Sequence, residues 1–170
     1  KDGNTEESNI YSYTVDPNGP TVATVFKTIA DPFVGKLLYF KVISGKVSAD
    51  STLLNTRTGS TEKISKVYFV KGKKQEETPY ITAGDIGAVA KLASTKTGDT
   101  LCSQDVNITL NGIQFDEPCL SMAVVALKKG DEEKIAAGLD RLMEEDPTIH
   151  FEVNKETKES ILSGLGEQHL

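Results

Sequence analysis

The 170 residues, 18.4 kDa in all, are 38% apolar and 26% charged, which is enough hydrophobic material to fold and excludes an intrinsically disordered chain. Nineteen Lys and Arg against 25 Asp and Glu give a net charge of -6, which excludes a protein that coats nucleic acid or anionic membrane through bulk charge and leaves only local basic patches. Two cysteines, Cys102 and Cys119, are too few for a secreted disulfide scaffold or a four-ligand zinc site, so a reduced, cytoplasmic setting is expected.

The polar start, Lys1 to Asn9, has no apolar signal-type core, and no stretch approaches the roughly 20 apolar residues of a membrane span. Neither export nor insertion is expected. The chain opens on Lys and stops at Leu170, just after Gly166-Glu-Gln-His169, where helix-forming residues should continue; that is the pattern of a piece cut from a longer protein. Residues 1–19, closing on the turn cluster Asp16-Pro-Asn-Gly-Pro20, read as a linker.

Charge then divides the rest. Residues 20–110 hold 12 bases and 8 acids, whereas residues 111–170 hold 6 and 13, so contact with phosphate belongs to the middle of the chain. Within that middle, β-branched and aromatic runs at 21–29, 36–43, 52–56, 62–70, 86–92 and 106–110 are punctuated by glycines, and no amphipathic helix of ordinary length fits. A small closed barrel over residues 20–112 is predicted, because closure removes the exposed edges of a five- or six-stranded sheet. Gly84-Asp85 and Gly98-Asp99 should turn between its strands.

From residue 113 the period changes. The apolar run 120–127 predicts a buried strand, and 131–146 a helix with Ile135, Leu139, Leu142 and Met143 on one face, capped by Asp131 and ended by Pro147. Ile149, Phe151 and Val153 alternate with polar residues, and 160–163 returns as a hairpin strand. The plan is β-α-β-β, the beginning of a split β-α-β (ferredoxin-like) module over residues 113–170.

Several strings are more specific than this plan. Asp16-Pro-Asn-Gly-Pro20, Ala30-Asp-Pro-Phe-Val-Gly-Lys-Leu37, Tyr39-Phe-Lys-Val42 with Ser44-Gly45, Ala83-Gly-Asp-Ile-Gly-Ala-Val89 and Gly98-Asp-Thr-Leu101 closely resemble the second domain of bacterial elongation factor G. Glu117-Pro118, Leu142-Met-Glu-Glu-Asp-Pro147 and Ile161-Leu-Ser-Gly-Leu-Gly-Glu-Gln-His-Leu170 resemble the start of its third domain, so the likeness is colinear from Asp16 to Leu170. It implies a translational GTPase that binds the ribosome and drives tRNA and mRNA translocation, with GTP and magnesium held by a further domain. This stretch itself contains no Gly-x-x-x-x-Gly-Lys-Ser/Thr phosphate loop, so no catalytic residue and no cofactor is expected in it. The implied partners are small-subunit rRNA for the second domain, and the GTPase domain and a small-subunit protein for the third. In that family the positions matching Gly164, Gln168 and His169 line the pocket for fusidic acid, next to the GTPase domain. The usual family string there is Gly-Glu-Leu-His-Leu; Gln168 in place of Leu resembles a divergent elongation factor G-like paralogue and implies weaker packing against an apolar steroid.

The candidate phosphate contacts are Lys36, Arg57, Lys63, Lys66, Lys71, Lys73 and Lys74, with a solvated loop as the alternative because Glu76 and Glu77 follow. His150 and His169 are the only imidazoles, and neither has Cys or Asp at metal-ligand spacing, so no metal site is expected. His150 reads as the solvent face of a strand. Glu144, Glu145 and Asp146 sit where the helix dipole disfavours acids, which signals either a partner or, more simply, a solvated end. Cys102 and Cys119 read as small core residues. Two rivals stand beside the ribosomal reading. A free-standing single-strand RNA binder needs aromatic platforms that strands 121–127 and 160–163 lack, and a small-molecule enzyme lacks any nucleophile, metal or cofactor constellation.

Overall fold

The computed structural model describes residues 15–31, 34–72, 74–106 and 108–170. Among the described residues, ten strands form the first half: β1 Val22–Asp31, β2 Gly35–Ser44, β3 Lys46–Ser48, β4 Ser51–Asn55, β5 Ser60–Ile64, β6 Val67–Lys71, β7 Lys74–Thr78, β8 Tyr80–Thr82, β9 Ile86–Ala90 and β10 Thr100–Cys102. Eight of them hydrogen-bond in the order β5-β4-β10-β1-β2-β9-β6-β7, and β3 pairs with β8 as a separate ribbon. β5 lies at one end of that order and β6 next to the other end, yet only Ser65 and Lys66 separate them. The sheet must therefore curl round on itself, which is the barrel that the Gly-punctuated strand pattern predicts.

One core fills it. Ala23 and Val25 of β1, Leu38, Phe40 and Val42 of β2, Val47, Leu53, Ile64, Val67, Ile81, Val89 and Leu101 form a single cluster, all at most 4% exposed. Alternation sends every second side chain inward, and bulges between Val22 and Ala23 and between Val25 and Lys27 reset β1 against β2. The turn at Asp16–Gly19 is docked on this barrel: the Gly45 N–H donates to Asp16 O at 2.8 Å. Gly45 has φ +67°, and a Cβ there would stand 2.6 Å from Gly19 O, so only glycine admits the contact. Gly84 and Gly98, at φ +93° and +94°, make the predicted turns.

Three strand expectations are corrected. Residues 106 and 108–110 are not in a strand; the strand between β1 and β4 is β10, which pairs with both. The run 62–70 is two strands, because Ser65-Lys66 turns the chain from one end of the sheet to the other. β3, β7 and β8 have no counterpart among the predicted strands.

The second half has β11 Leu120–Val124, α1 Glu132–Glu145, β12 His150–Val153 and β13 Ser160–Gly164, with sheet order β11-β13-β12 and antiparallel pairing throughout. The β-α-β-β plan is present. The strand over 120–127 is not buried: Ser121, Met122 and Ala123 are exposed, and Val125 and Leu127 stand beyond its end, because α1 covers only part of the three-stranded sheet. On α1, Leu139 is buried and Ile135 and Met143 half-buried, but Leu142 is 46% exposed. Asp131 occupies the N-cap position without capping; its carboxylate accepts from Lys134 Nζ at 2.8 Å instead. Asp146, extended at φ -124° and ψ 102°, precedes Pro147 and ends the helix as predicted. No helix among the described residues is long and apolar enough to cross a membrane.

Candidate functional site

The outer face of the barrel follows from the same alternation that builds the core. Lys27 pairs with Tyr39, Tyr39 with Ala88, and Ala88 with Tyr68, which sets these four side chains in one row across β1, β2, β9 and β6. Lys41 lies two residues along β2 on the same face and is exposed, as is Lys27. Phe26, at the β1 bulge, has its ring 6.4 Å from that of Tyr39. The row joins half-buried aromatic rings to exposed cations, the combination that holds a phosphodiester strand by charge and stacking. Sequence reasoning missed Lys27 and Lys41 because they lie within strands rather than loops; Lys41 is one residue from the inward Phe40, whereas Lys27 shares the parity of the inward Ala23 and Val25 and is turned outward only by the bulge before it.

The predicted phosphate contacts are spread differently. Lys63 is exposed on β5 and has no acidic partner among the described residues. Lys66 pairs with Glu77 at 2.6 Å, and Lys71 and Lys74 both reach Glu76, at 2.9 and 3.1 Å. These exposed pairs stabilise little. Lys73 lies outside the described residues. Lys36 is only 18% exposed and is bound to Glu144 of α1 at 3.2 Å.

Arg57 belongs to a built network. Its Nε and Nη2 donate to the two oxygens of Asp99 at 2.5 and 2.8 Å, and Nη2 also reaches Ser94 O at 2.9 Å. Asp99, 4% exposed, further accepts from Asn55 Nδ2 at 2.8 Å and the Lys96 N–H at 2.9 Å. Beside it Glu62, 7% exposed, accepts from the Ala93 and Ser94 N–H groups and from the Ser94 and Thr95 hydroxyls. Burial pushes both carboxyls up. The hydrogen bonds outweigh it, from Ser94, Thr95 and Ala93 at Glu62 and from Arg57, Asn55 and Lys96 at Asp99, and hold both below the ordinary range. The network braces residues 93–99 against the β4–β5 hairpin and holds half of Arg57 in solvent.

Gly164 and His169 meet at the other end of the chain, and Gln168 does not join them. A Cβ on Gly164 would stand 2.8 Å from His169 Nδ1 and 2.7 Å from Leu170 Cδ2, so glycine is what lets this turn close. His169 Nδ1 accepts the Leu165 N–H at 3.0 Å, which leaves Nε2 as the donor to Asp146 Oδ2 at 3.0 Å. Burial pushes the Asp146 carboxyl up, and hydrogen bonds from the Thr148 hydroxyl and N–H and from His169 bring it below its usual range. Gln168 is exposed, so water satisfies its amide.

The acidic end of α1 is therefore not the solvated cluster of the simpler expectation. Glu144 takes Lys36, Glu145 accepts the Ala30 N–H, and Asp146 takes His169 and Thr148, so each carboxylate has a partner within the chain. Between the halves lies a cleft of about 580 Å³ whose lining includes Lys36, Lys96, Thr97, Met143, Glu144 and His150. His150 is exposed, as predicted. Cys102 is buried, with its thiol on Val106 O at 2.8 Å and pushed up by burial, whereas Cys119 is exposed and donates to Leu165 O at 2.9 Å, so only one of the two is a core residue. Among the described residues no three His, Cys, Asp or Glu side chains cluster to hold a metal. The sequence holds no Gly-x-x-x-x-Gly-Lys-Ser/Thr string.

Comparison with known proteins meets this geometry half by half. The family described as elongation factor G domain 2 matches residues 20–104, and that described as elongation factor G, domain III, matches residues 115–170. Elongation factor G of Thermotoga maritima is 46% identical over 155 residues, and that of Fervidobacterium nodosum 42% over 153; these alignments cover 91% and 90% of the chain and 22% of each relative. A crystal structure of a protein from Thermus thermophilus superposes with a TM-score of 0.78 at 28% identity, covering 89% of this chain and 23% of that one. The chain thus spans about a fifth of the length of the curated relatives it matches.

Proposed function

The chain belongs to the elongation factor G family, as its domains II and III, and from that premise we propose that it is the ribosome-engaging, non-catalytic part of a translational GTPase that promotes tRNA and mRNA translocation. The barrel rests on small-subunit rRNA through Lys27, Lys41 and Lys63, with Lys66, Lys71 and Lys74 exchanging their carboxylates for phosphate, and Lys73 beside them. Arg57, held by Asp99, adds a fixed cation at the barrel's end. The module around Gly164 and His169 faces the GTPase domain and a small-subunit protein. GTP and magnesium act in that GTPase domain, and the whole works in the cytoplasm.

The observation that carries this reading is the outer-face row of Lys27, Tyr39, Ala88 and Tyr68 with Lys41, a cationic surface on a chain whose net charge is -6. The same face favours a second reading, a free-standing single-strand RNA binder, through the half-buried rings of Tyr39 and Tyr68 in the row and of Phe26, tilted 56° against Tyr39, beside it. Co-sedimentation with small ribosomal subunits tests the first. Binding is weak, falls steeply between about 50 and about 200 mM salt, and drops further in a Lys27→Ala, Lys41→Ala, Lys63→Ala triple variant. Binding indifferent to salt and to these substitutions overturns the proposed surface. Single-stranded RNA that displaces the subunits at equal nucleotide concentration favours the second reading.

A further inference from the structure

The two halves touch through a small set of charged groups. α1 packs against β1 and β12, and its last turn meets the β1–β2 hairpin: Glu145 accepts the Ala30 N–H, and Glu144 holds Lys36 Nζ at 3.2 Å. Lys36 is 18% exposed and Glu144 47%, so the pair sits at the mouth of the interdomain cleft. Next to Lys36, Leu37 alternates with the core residue Leu38 and so faces out of the barrel, yet it is 1% exposed; this end of the hairpin is covered. The helix dipole opposes three acids at this terminus, and the barrel's cation and amide donor offset that opposition.

We propose that the acidic last turn of α1 is an electrostatic latch that sets the module's orientation on the barrel, and that Lys36 is its shared cation. While Lys36 holds Glu144 it is withheld from phosphate, so docking of the module and capture of a polyanion by Lys36 exclude one another. By linkage each weakens the other by the same factor. The latch rests on the contacts above; the competition rests on the rRNA reading of the barrel.

Single-molecule FRET on the full 170-residue chain tests the latch, with dyes on Ser65→Cys and Lys155→Cys in a Cys119→Ser background. Lys36→Glu and Glu144→Lys each raise the ratio of undocked to docked molecules about fivefold, salt near 1 M moves the parent chain the same way, and the Lys36→Glu/Glu144→Lys pair restores the parent distribution. Single variants that match the parent, or a double variant as open as the singles, overturn it. For the competition, Glu144→Gln tightens binding to a 16-base-pair RNA duplex several-fold more than Glu152→Gln, which removes an equal charge from an exposed site. Equal effects overturn the competition. If no variant binds the duplex at low salt, the rRNA reading and the competition fail together, while the FRET result alone judges the latch.

Discussion

Glu62 and Asp99 break the alternation rule in the same way: each is an acid at an inward or buried position of a β protein, where an ionised carboxylate is tolerated only if its lone pairs are filled. Four donors fill those of Glu62, and Arg57, Asn55 and Lys96 those of Asp99. Asp99→Ala leaves Arg57 without its carboxylate and the Lys96 N–H without its acceptor, and takes one of two acceptors from the Asn55 amide, so chemical denaturation should show a loss of about 2–4 kcal/mol. Lys66→Ala, which removes only an exposed pair, should leave the denaturation midpoint unchanged. Because both carboxyls are held below their ordinary range, the folded chain binds fewer protons than the unfolded chain near pH 4. Their contribution is present in full above the unfolded pKa and is lost as pH falls through the folded one. Stability should therefore decline below about pH 5, and Glu62→Gln should flatten that decline in a pH series of urea titrations. An unchanged slope would show that Glu62 titrates alike in both states.

The elements differ in how plainly the residues announce them. β1 and β2 carry long apolar runs and β9 a short, continuously apolar one, and all three are legible directly, with bounds close to the predicted 21–29, 36–43 and 86–92. β7 reads Lys-Gln-Glu-Glu-Thr, with no apolar residue; it exists because it pairs with β6 at the end of the sheet, a tertiary cause that no local pattern encodes. β10 is three residues long and wholly buried between β1 and β4, too short to alternate visibly, while 106–110 has strand-like composition and its described residues, 106 and 108–110, are not in a strand. The candidate site was legible to a similar degree. Lys36 stood out through its sequence string, but its partner Glu144 lies 108 residues away, and the outward lysines of β1 and β2 emerge only once the register is known. Exposure follows the same division: Met122, Val125, Leu127, Leu142, Val153 and Leu165 leave the second half far more open than the barrel. Hydrogen exchange should accordingly protect the amides of β1, β2 and β9 at least about tenfold more than those of β11 and β12. Equal protection in a concentration-independent monomer would show that the module is self-sufficient.

At the scale of the whole molecule, a barrel with a basic excess is joined to an acidic module, and the two are pinned where the charges meet, at Lys36 and Glu144. This arrangement leaves Lys27 and Lys41 of the outer barrel face exposed. Long-range repulsion between the module and rRNA is screened within about 8 Å at physiological ionic strength, so local cations decide the contact despite the net charge of -6. Under the proposed function, this chain occupies on the small ribosomal subunit the place that elongation factor G occupies through the same two domains. Competition measures it most directly: a fluorescently labelled chain, bound to small subunits at low salt, is titrated with unlabelled full-length elongation factor G from Thermotoga maritima. Complete displacement is expected, with the Lys27→Ala, Lys41→Ala, Lys63→Ala variant already released before the competitor is added. A chain that stays bound at saturating competitor occupies a different place on the subunit and contradicts it.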